Sequence, residues 1–220
     1  MEIVGVPYGA GAVVQGCEKA PKIILEQLKN LWSSENNQQL KYSSKIIKLS
    51  QDYKSDFETI SKTKGDIFLG GDHSITYPLV KSKFSPKDGM IVFDAHPDCY
   101  QMYDFPTHGD WLYHLINEGI VNGGNIVLVG IRNSTKQEID FIRKNGVRVS
   151  FMKDIFFNIN EVCDNIMEIA RKFSSLYLSI DVDSLDPAFA PGTGFQEPGG
   201  FTTRELLYML QRISHLKNIA

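Results

Sequence analysis

The chain has 220 residues, of which 42% are hydrophobic and 22% are charged, a composition typical of a globular protein. A formal net charge of −3 offers no basic surface, so we expect no nucleic-acid partner. The three scattered cysteines argue against a disulfide framework. No apolar run approaches the roughly 18 residues of a membrane span, and the N-terminus lacks the pattern of a signal peptide. We therefore expect a cytoplasmic protein with no membrane partner.

Short apolar runs rich in β-branched residues alternate with amphipathic stretches along the whole chain. The apolar runs are continuous rather than alternating, which is typical of strands buried on both faces of a parallel sheet. Strands are predicted at residues 2–6, 46–49, 66–69, 90–93, 125–130, 147–151 and 176–180. Helices are predicted at residues 20–32, 76–83, 110–118, 136–144 and 161–173. The pattern predicts an α/β fold in a single domain over residues 1–220.

The first motif with chemical character is LGGDHS, at residues 69–74. Its two glycines permit a tight turn after a strand and a close approach of another backbone segment. His73 then lies at the start of a helix, at the carboxyl end of the strand. Taken alone, the motif fits equally well a helix capped by Asp72, with His73 incidental.

The second motif, FDAHPD at residues 93–98, is the most specific. Asp94, His96 and Asp98 alternate, so in an extended segment they share one face. Pro97 cannot donate a hydrogen bond to a neighbouring strand, which predicts that the strand ends there. Three metal-ligand side chains would then project from the carboxyl end of a buried strand. The alternative is a solvated loop with an aspartate that caps a helix.

The third motif, LSIDVDSLDP at residues 178–187, repeats this arrangement. Asp181 and Asp183 alternate directly after an apolar strand, where carboxylates are costly unless cations compensate their charge. Asp186 and Pro187 mark a turn. The alternative is that Asp183 or Asp186 only caps that turn.

Taken together, the three motifs favour a metal site over three coincidences, because each falls where sites form in open α/β sheets. Carboxylates crowded at one sheet edge would repel one another and raise their own pKa values without cations. The crowded carboxylates are Asp72, Asp94, Asp98, Asp181 and Asp183. Two imidazoles and no thiolate suit manganese or a similar divalent ion, and the excess of carboxylates suits two ions sharing an activated water.

GGDHS, DAHPD and SIDVDSLDP resemble the three metal motifs of the ureohydrolases, the superfamily of arginases and agmatinases. The opening GVPYGAGAVVQGCEKAPKII and the later PGTGFQEPGGFTTREL also resemble family segments, so the resemblance runs from about residue 3 to the chain end. It implies a three-layer αβα sandwich with a mainly parallel, arginase-like sheet. It also implies a binuclear centre with two Mn(II) ions.

The resemblance implies a role for each site residue. His73 and Asp98 would bind one ion, His96 and Asp183 the other, and Asp94 and Asp181 both. A hydroxide bridging the two manganese ions would attack the guanidinium carbon and release urea and an amine. His108, in PTHGDW, resembles the family histidine that carries protons to the leaving amine, although it also fits an ordinary loop histidine. The catalytic candidates are therefore His108 and the ligand Asp98.

Two segments near the expected site depart from the family pattern. Phe195, in TGFQ, replaces a threonine that the family places near the substrate in TGTP. THGDWLYHL matches neither the agmatinase nor the arginase form, and Tyr100, Tyr103 and Trp111 predict a more aromatic pocket. The family glutamate that pairs with the substrate guanidinium has no counterpart here, and Glu197 belongs to a different motif and is not assigned that role.

The last part of the chain predicts a helix over residues 202–214, capped by Thr202 or Thr203 with Glu205 in its first turn. Residues 215–220 then resemble the approach to another strand. Because the family has one more, central strand before its glutamate, we expect a C-terminally incomplete member that lacks the final strand. Loss of a central strand would leave backbone N–H and C=O groups unpaired on both neighbouring strands and would lower the stability of the protein.

The leading interpretation is a metal-dependent hydrolase of linear amidines, acting on an agmatine-like or arginine-like guanidino compound. Agmatine chemistry, and with it polyamine metabolism, is favoured because VGIRNSTKQEIDFIRKNGV resembles agmatinase relatives. The alternatives are a formiminoglutamate-type or other amidine hydrolase, a catalytically inactive truncated member, and a single-zinc deacetylase. A single-zinc deacetylase site would not need His73, Asp98 and Asp183 as ligands. By analogy with the family, the protein forms a homo-oligomer, a trimer or hexamer.

Overall fold

The computed structural model describes all residues from Met1 to Ala220. The chain divides into two compact units. The amino-terminal unit comprises Met1–Ser82 and Pro106–His108, and the carboxy-terminal unit comprises Lys83–Phe105 and Gly109–Ala220. No helix in either unit is both long enough and apolar enough to cross a membrane. The single domain expected from the sequence stays a prediction.

The amino-terminal unit is built on a parallel three-stranded sheet with the strand order β2-β1-β3. Its elements are β1 Glu2–Val6, α1 Ala20–Leu28, β2 Ser43–Ile46, α2 Tyr53–Lys62, β3 Ile67–Gly70 and α3 Thr76–Lys81. The central strand β1 is apolar and buried, with Val4 and Val6 fully inaccessible. It anchors the two flanking strands, each of which pairs with β1 on one side only.

Three features of this unit differ from the sequence-based prediction. The helix predicted at residues 20–32 ends at Leu28. The strand predicted at residues 46–49 lies instead at residues 43–46, because β2 is an edge strand whose four residues are all exposed and of which only Ile46 is apolar. The hydrophobic pattern also does not predict α2. That helix begins after Asp52, whose carboxylate accepts a hydrogen bond from the Ser55 amide at 3.0 Å, and it buries Phe57 and Ile60.

The carboxy-terminal unit is built on a parallel four-stranded sheet with the strand order β6-β5-β4-β7. Its elements are β4 Gly89–Phe93, α4 Trp111–Asn117, β5 Ile126–Ile131, α5 Lys136–Asn145, β6 Arg148–Phe151, α6 Met152–Phe157, α7 Ile159–Ala170, β7 Leu176–Ile180 and α8 Thr203–Ile213. These bounds lie close to the predicted ones, except that α6 is not predicted. Thr202 caps α8 in a reciprocal capping box with Glu205, as predicted.

Both faces of the four-stranded sheet are covered. On one face, Ile91 and Phe93 of β4 join a hydrophobic core that includes residues of α6, α7 and α8. The alternate residues Met90 and Val92 point to the opposite face and are also buried. Strands buried on both sides explain the continuous hydrophobic runs, and the α/β fold class is confirmed.

The strand β7 lies at one edge of this sheet. It pairs with β4 along its whole length on one side. On its other side, the pairing is limited to a parallel bridge between Leu176 and Ile219, in which the Leu176 amide donates to the Asn218 carbonyl and the Ala220 amide to the Leu176 carbonyl. Residues 215–220 thus lead into strand pairing, as their pattern predicts.

Candidate metal centre

The loop after β4 carries Asp94 and His96. The strand ends at Phe93, as its predicted bounds of 90–93 have it, and not at Pro97. The Asp94 amide still donates to the Val129 carbonyl, after which the chain turns. The Asp94 carboxylate accepts a hydrogen bond from the His96 amide at 2.7 Å. This tight turn, rather than an extended strand, brings the two side chains to one side of the loop.

The loop after β7 carries Asp181 and Asp183. Asp181 caps a short 3-10 turn, Val182–Ser184, and its carboxylate accepts a hydrogen bond from the Asp183 amide at 2.9 Å. The Asp183 carboxylate in turn accepts one from the Ala95 amide at 3.2 Å. That bond ties the two loops together, because Ala95 lies between Asp94 and His96.

Asp94, His96 and Asp183 form one cluster at the carboxyl ends of β4 and β7. Their ligand atoms all lie within 4.8 Å of one another, and both aspartates are buried. The His96 Nδ1 lies 3.2 Å from the Asp183 Oδ2 and 3.6 Å from the Asp94 Oδ1. Two carboxylates and an imidazole nitrogen at this spacing are a donor set that fits a divalent cation.

The pKa values of the cluster reflect burial and the close approach of several carboxylates. Burial above all, with the nearby Asp94 and Asp181 charges, raises the pKa of Asp183 to about 7, although the His96 hydrogen bond acts to lower it. Burial lowers the pKa of His96, but hydrogen bonds and charges from Asp183 and Asp94 outweigh that effect and raise it to about 11. A divalent cation bound between these side chains would compensate the same carboxylate charges and would compete with their protonation.

Asp98 is not a member of this cluster. Its carboxylate accepts a hydrogen bond from the indole nitrogen of Trp111 at 2.8 Å, and its carbonyl accepts one from the Leu112 amide. Its backbone has a positive φ of 49°, a conformation that non-glycine residues adopt at a cost. Trp111 is fully buried, so it positions Asp98 and does not line an open aromatic pocket as predicted.

His73 lies in the amino-terminal unit, in a 3-10 turn that directly follows β3. The preceding Gly71 is required there, because a Cβ would lie 2.1 Å from the Tyr8 carbonyl oxygen. Asp72 caps the turn by accepting a hydrogen bond from the Ser74 amide at 2.9 Å and another from the Gly11 amide at 3.0 Å. The capping role considered for Asp72 is therefore present, and His73 sits at the carboxyl end of its strand as predicted.

His108 also lies in the amino-terminal unit. Its Nδ1 is 2.5 Å from the Gly11 carbonyl oxygen, and its amide donates to the same carbonyl. Because a carbonyl oxygen only accepts, this contact gives Nδ1 the donor role and fixes the tautomer of the ring.

Three residues beside the cluster are not assigned a role from the sequence. The Glu197 Oε1 lies 3.4 Å from the His96 Nε2 and accepts a hydrogen bond from the Asn133 side chain at 2.6 Å. The ring of Phe195 meets the His96 ring edge to face, with centroids 5.7 Å apart. No local signal predicts these contacts, because His96 and Glu197 are separated by 101 positions in the sequence.

Arg132 connects the loops of this site. Its guanidinium donates to the Asp183 carbonyl and to the Glu197 carbonyl, both at 2.7 Å, and to the Leu185 carbonyl at 3.2 Å. It follows Gly130, whose φ of 95° accompanies a shift in the register between β5 and β6. A Cβ on Gly130 would lie 2.8 Å from the Phe201 ring, so glycine is required at this close approach.

Comparison with known proteins identifies the family of the chain. The model of the Arginase family matches residues 1–220, and the chain belongs to that family. An arginase of Staphylococcus aureus is 30% identical over 100% of this chain and 86% of its own. An agmatinase of Proteus mirabilis is 37% identical over 67% of this chain and 47% of its own. The chain spans about half the length of several of its curated relatives.

A solved structure supports the fold over the whole chain. The formimidoylglutamase of Bacillus subtilis superimposes with a TM-score of 0.89 at 27% identity, covering 100% of this chain and 76% of that one. The resemblance inferred from the three motifs is therefore confirmed at the level of the family and of the fold.

Proposed function

We propose that this protein is a two-metal hydrolase that cleaves a carbon–nitrogen bond of a linear amidine, releasing urea and an amine from a guanidino compound. The observation that carries the proposal is the cluster of Asp94, His96 and Asp183 at the carboxyl ends of neighbouring parallel strands. Membership of the Arginase family gives this cluster its chemical context. Relatives of the family include proteins named arginase and agmatinase.

The metal set is proposed to hold two Mn(II) ions. Its members are His73, Asp94, His96, Asp98, Asp181 and Asp183. Two divalent ions bound by such residues lower the pKa of water and stabilise negative charge in the transition state. The carboxylates neutralise the ions, and the Ala95 amide and the Trp111 indole hold Asp183 and Asp98 in place.

His108 is proposed to carry a proton to the leaving amine. Its Nδ1 donates to the Gly11 carbonyl, so Nε2 is the nitrogen that can accept a proton and return it. Histidine suits this step because its ordinary pKa lies near neutrality.

An agmatine-like substrate is the first choice, in keeping with polyamine metabolism, and an arginine-like one is the second. A formimino substrate is a further candidate, since one structural neighbour is a formimidoylglutamase. We further propose that the protein is cytoplasmic and assembles as a homo-oligomer, a trimer or hexamer.

The test loads metal-depleted protein with Mn(II), counts the bound ions by elemental analysis, and measures product release. The panel contains agmatine, arginine and formiminoglutamate, with assays for urea and for formamide. Two ions per chain and urea from a guanidino substrate are expected. Two bound ions without any product would indicate an inactive family member. A single zinc per chain in the purified protein, analysed before metal depletion, would indicate deacetylase-type chemistry.

A further inference from the structure

The two ring nitrogens of His96 face different carboxylates. Nδ1 lies 3.2 Å from Asp183 and 3.6 Å from Asp94, inside the candidate metal cluster. Nε2 points the other way, 3.4 Å from the Oε1 of Glu197. His96 therefore bridges the cluster and a carboxylate that is not a member of it.

This geometry restricts the protonation of the ring when a cation is bound. A histidine nitrogen that binds a cation uses its lone pair, so the proton of the neutral ring must sit on the other nitrogen. Here Nδ1 is the nitrogen that faces the cluster, which leaves Nε2 to carry the hydrogen. Glu197 lies where it can accept that hydrogen, and its negative charge makes the imidazole a stronger donor to the cation.

Glu197 is itself held in place on two sides. Its Oε1 accepts a hydrogen bond from Asn133 Nδ2 at 2.6 Å, and its carbonyl accepts two from the Arg132 guanidinium, at 2.7 and 3.2 Å. Its side chain is only one-quarter exposed. The same guanidinium also donates to the main-chain carbonyl of Asp183, so one arginine holds the backbone of both Asp183 and Glu197.

From these contacts we infer that Glu197 is a positioning residue for metal binding. It selects the tautomer of His96 that presents Nδ1 to the cluster, and it strengthens that nitrogen as a ligand. Asn133 supports this role by orienting the Glu197 carboxylate. The inference rests on the proposed metal centre, but it assigns a role to a residue outside the six proposed ligands.

The experiment measures Mn(II) affinity by calorimetric titration of the metal-depleted full chain. Glu197→Ala should weaken binding by roughly 10- to 100-fold, the usual effect of removing such a partner. Glu197→Gln should fall between Ala and the wild type, because its amide oxygen still accepts the hydrogen bond but carries no charge. Asn133→Ala should show a smaller loss. Glu168→Gln, the same change at an exposed residue of α7, should bind like the wild type.

A second measurement separates positioning from a merely structural effect. Long-range proton–nitrogen NMR of the zinc-loaded protein should show the His96 hydrogen on Nε2 in the wild type and a shifted Nε2 signal in Glu197→Gln. Melting temperatures of the metal-free variants should stay close to that of the wild type.

The outcomes are distinct. Wild-type protein that binds no metal would overturn the proposed function and this inference with it. Wild-type protein that binds two ions, with Glu197→Ala and Glu197→Gln both within threefold of its affinity, would overturn only the role of Glu197. Should Glu197→Ala fail to fold, Glu197→Gln decides between these outcomes.

Discussion

The two strands that carry the candidate metal cluster, β4 and β7, are supported very differently. β4 lies between β5 and β7, and all of its residues are buried. β7 lies at the sheet edge, and its last residue, Ile180, is 44% exposed. Both strands nevertheless deliver a buried aspartate, Asp94 and Asp183, to the same cluster.

This difference shows that a metal-binding side chain can be held in place in two ways. Asp94 is held by a strand packed on every side, where interiors are dense and resist displacement. Asp183 depends instead on hydrogen bonds from other loops, above all the Arg132 guanidinium and the Ala95 amide. Loss of packing should therefore disturb the β4 side most, and loss of hydrogen bonds should disturb the β7 side most.

The largest effect is expected from removing Asp94, the cluster ligand on the β4 side. Asp94→Asn should abolish Mn(II) binding at the cluster and lower urea release by a factor on the order of a thousand or more, because the ions supply several kcal/mol of transition-state stabilisation. Titration calorimetry and a urea assay measure this. Asp140→Asn, the same change on the exposed side of α5, is the control and should change neither quantity. Normal metal binding by Asp94→Asn would contradict the proposed ligand set.

The second-largest effect is expected from shortening one apolar side chain in each strand, which compares the packing of the two strands directly. Phe93→Ala at the end of β4 should lower the free energy of unfolding by about 3–5 kcal/mol, since the ring is fully buried against Phe201. Ile180→Ala at the end of β7 should cost less than about 1 kcal/mol, because the side chain is already largely hydrated. Urea denaturation of metal-free protein measures both. Equal losses would show that β7 is as tightly packed as β4.

A smaller effect is expected from weakening the hydrogen bonds that support β7. Arg132→Lys should lower the free energy of unfolding by about 1–3 kcal/mol, because one ammonium group cannot satisfy the carbonyls of Asp183, Leu185 and Glu197 together. It should also weaken Mn(II) binding. The exposed Arg143→Lys is the matched control. If both variants unfold at the same denaturant concentration as the wild type, the loop after β7 does not depend on Arg132.

The smallest effect concerns the pH dependence of metal-free protein. The pKa of folded Asp183 is raised to about 7, against an ordinary value of 3.8, so the folded state retains a proton that the unfolded state releases. The retained proton stabilises the folded protein fully below about pH 4, and this stabilisation is lost as the pH rises through about 7. The raised pKa of His96 also favours the folded state, and that contribution to stability is lost at higher pH, as the pH rises through about 11.

Asp183→Asn removes that proton-linked effect. The melting temperature of the variant minus that of the wild type, measured in chelator, should therefore increase by a few degrees between pH 5 and pH 8. With Mn(II) present, the wild type should have the higher melting temperature, because only the wild type is stabilised by the ions. A difference that stays constant with pH would mean that Asp183 ionises normally in the metal-free protein.

Much of this site follows from short-range patterns in the sequence. Continuous apolar runs mark the buried strands, and β1 and β7 have the predicted bounds. Aspartates directly after β4 and β7 are recognisable because charge at the end of a buried strand needs compensation. The exposed edge strand β2 and the helices α2 and α6 are not recovered, since local hydrophobicity carries little information where a segment is exposed or short.

The sequence by itself thus determined the α/β class, the family and the residue types of a metal site, because these depend on local hydrophobic periodicity and on motifs a few residues long. Only the tertiary structure decided which residues contact the metal ligands and hold them in place. Glu197 reaches His96, Trp111 holds Asp98, and Arg132 joins the loops after β5 and β7. Such contacts join positions far apart in the chain, and only the order and register of the strands bring them within hydrogen-bonding distance.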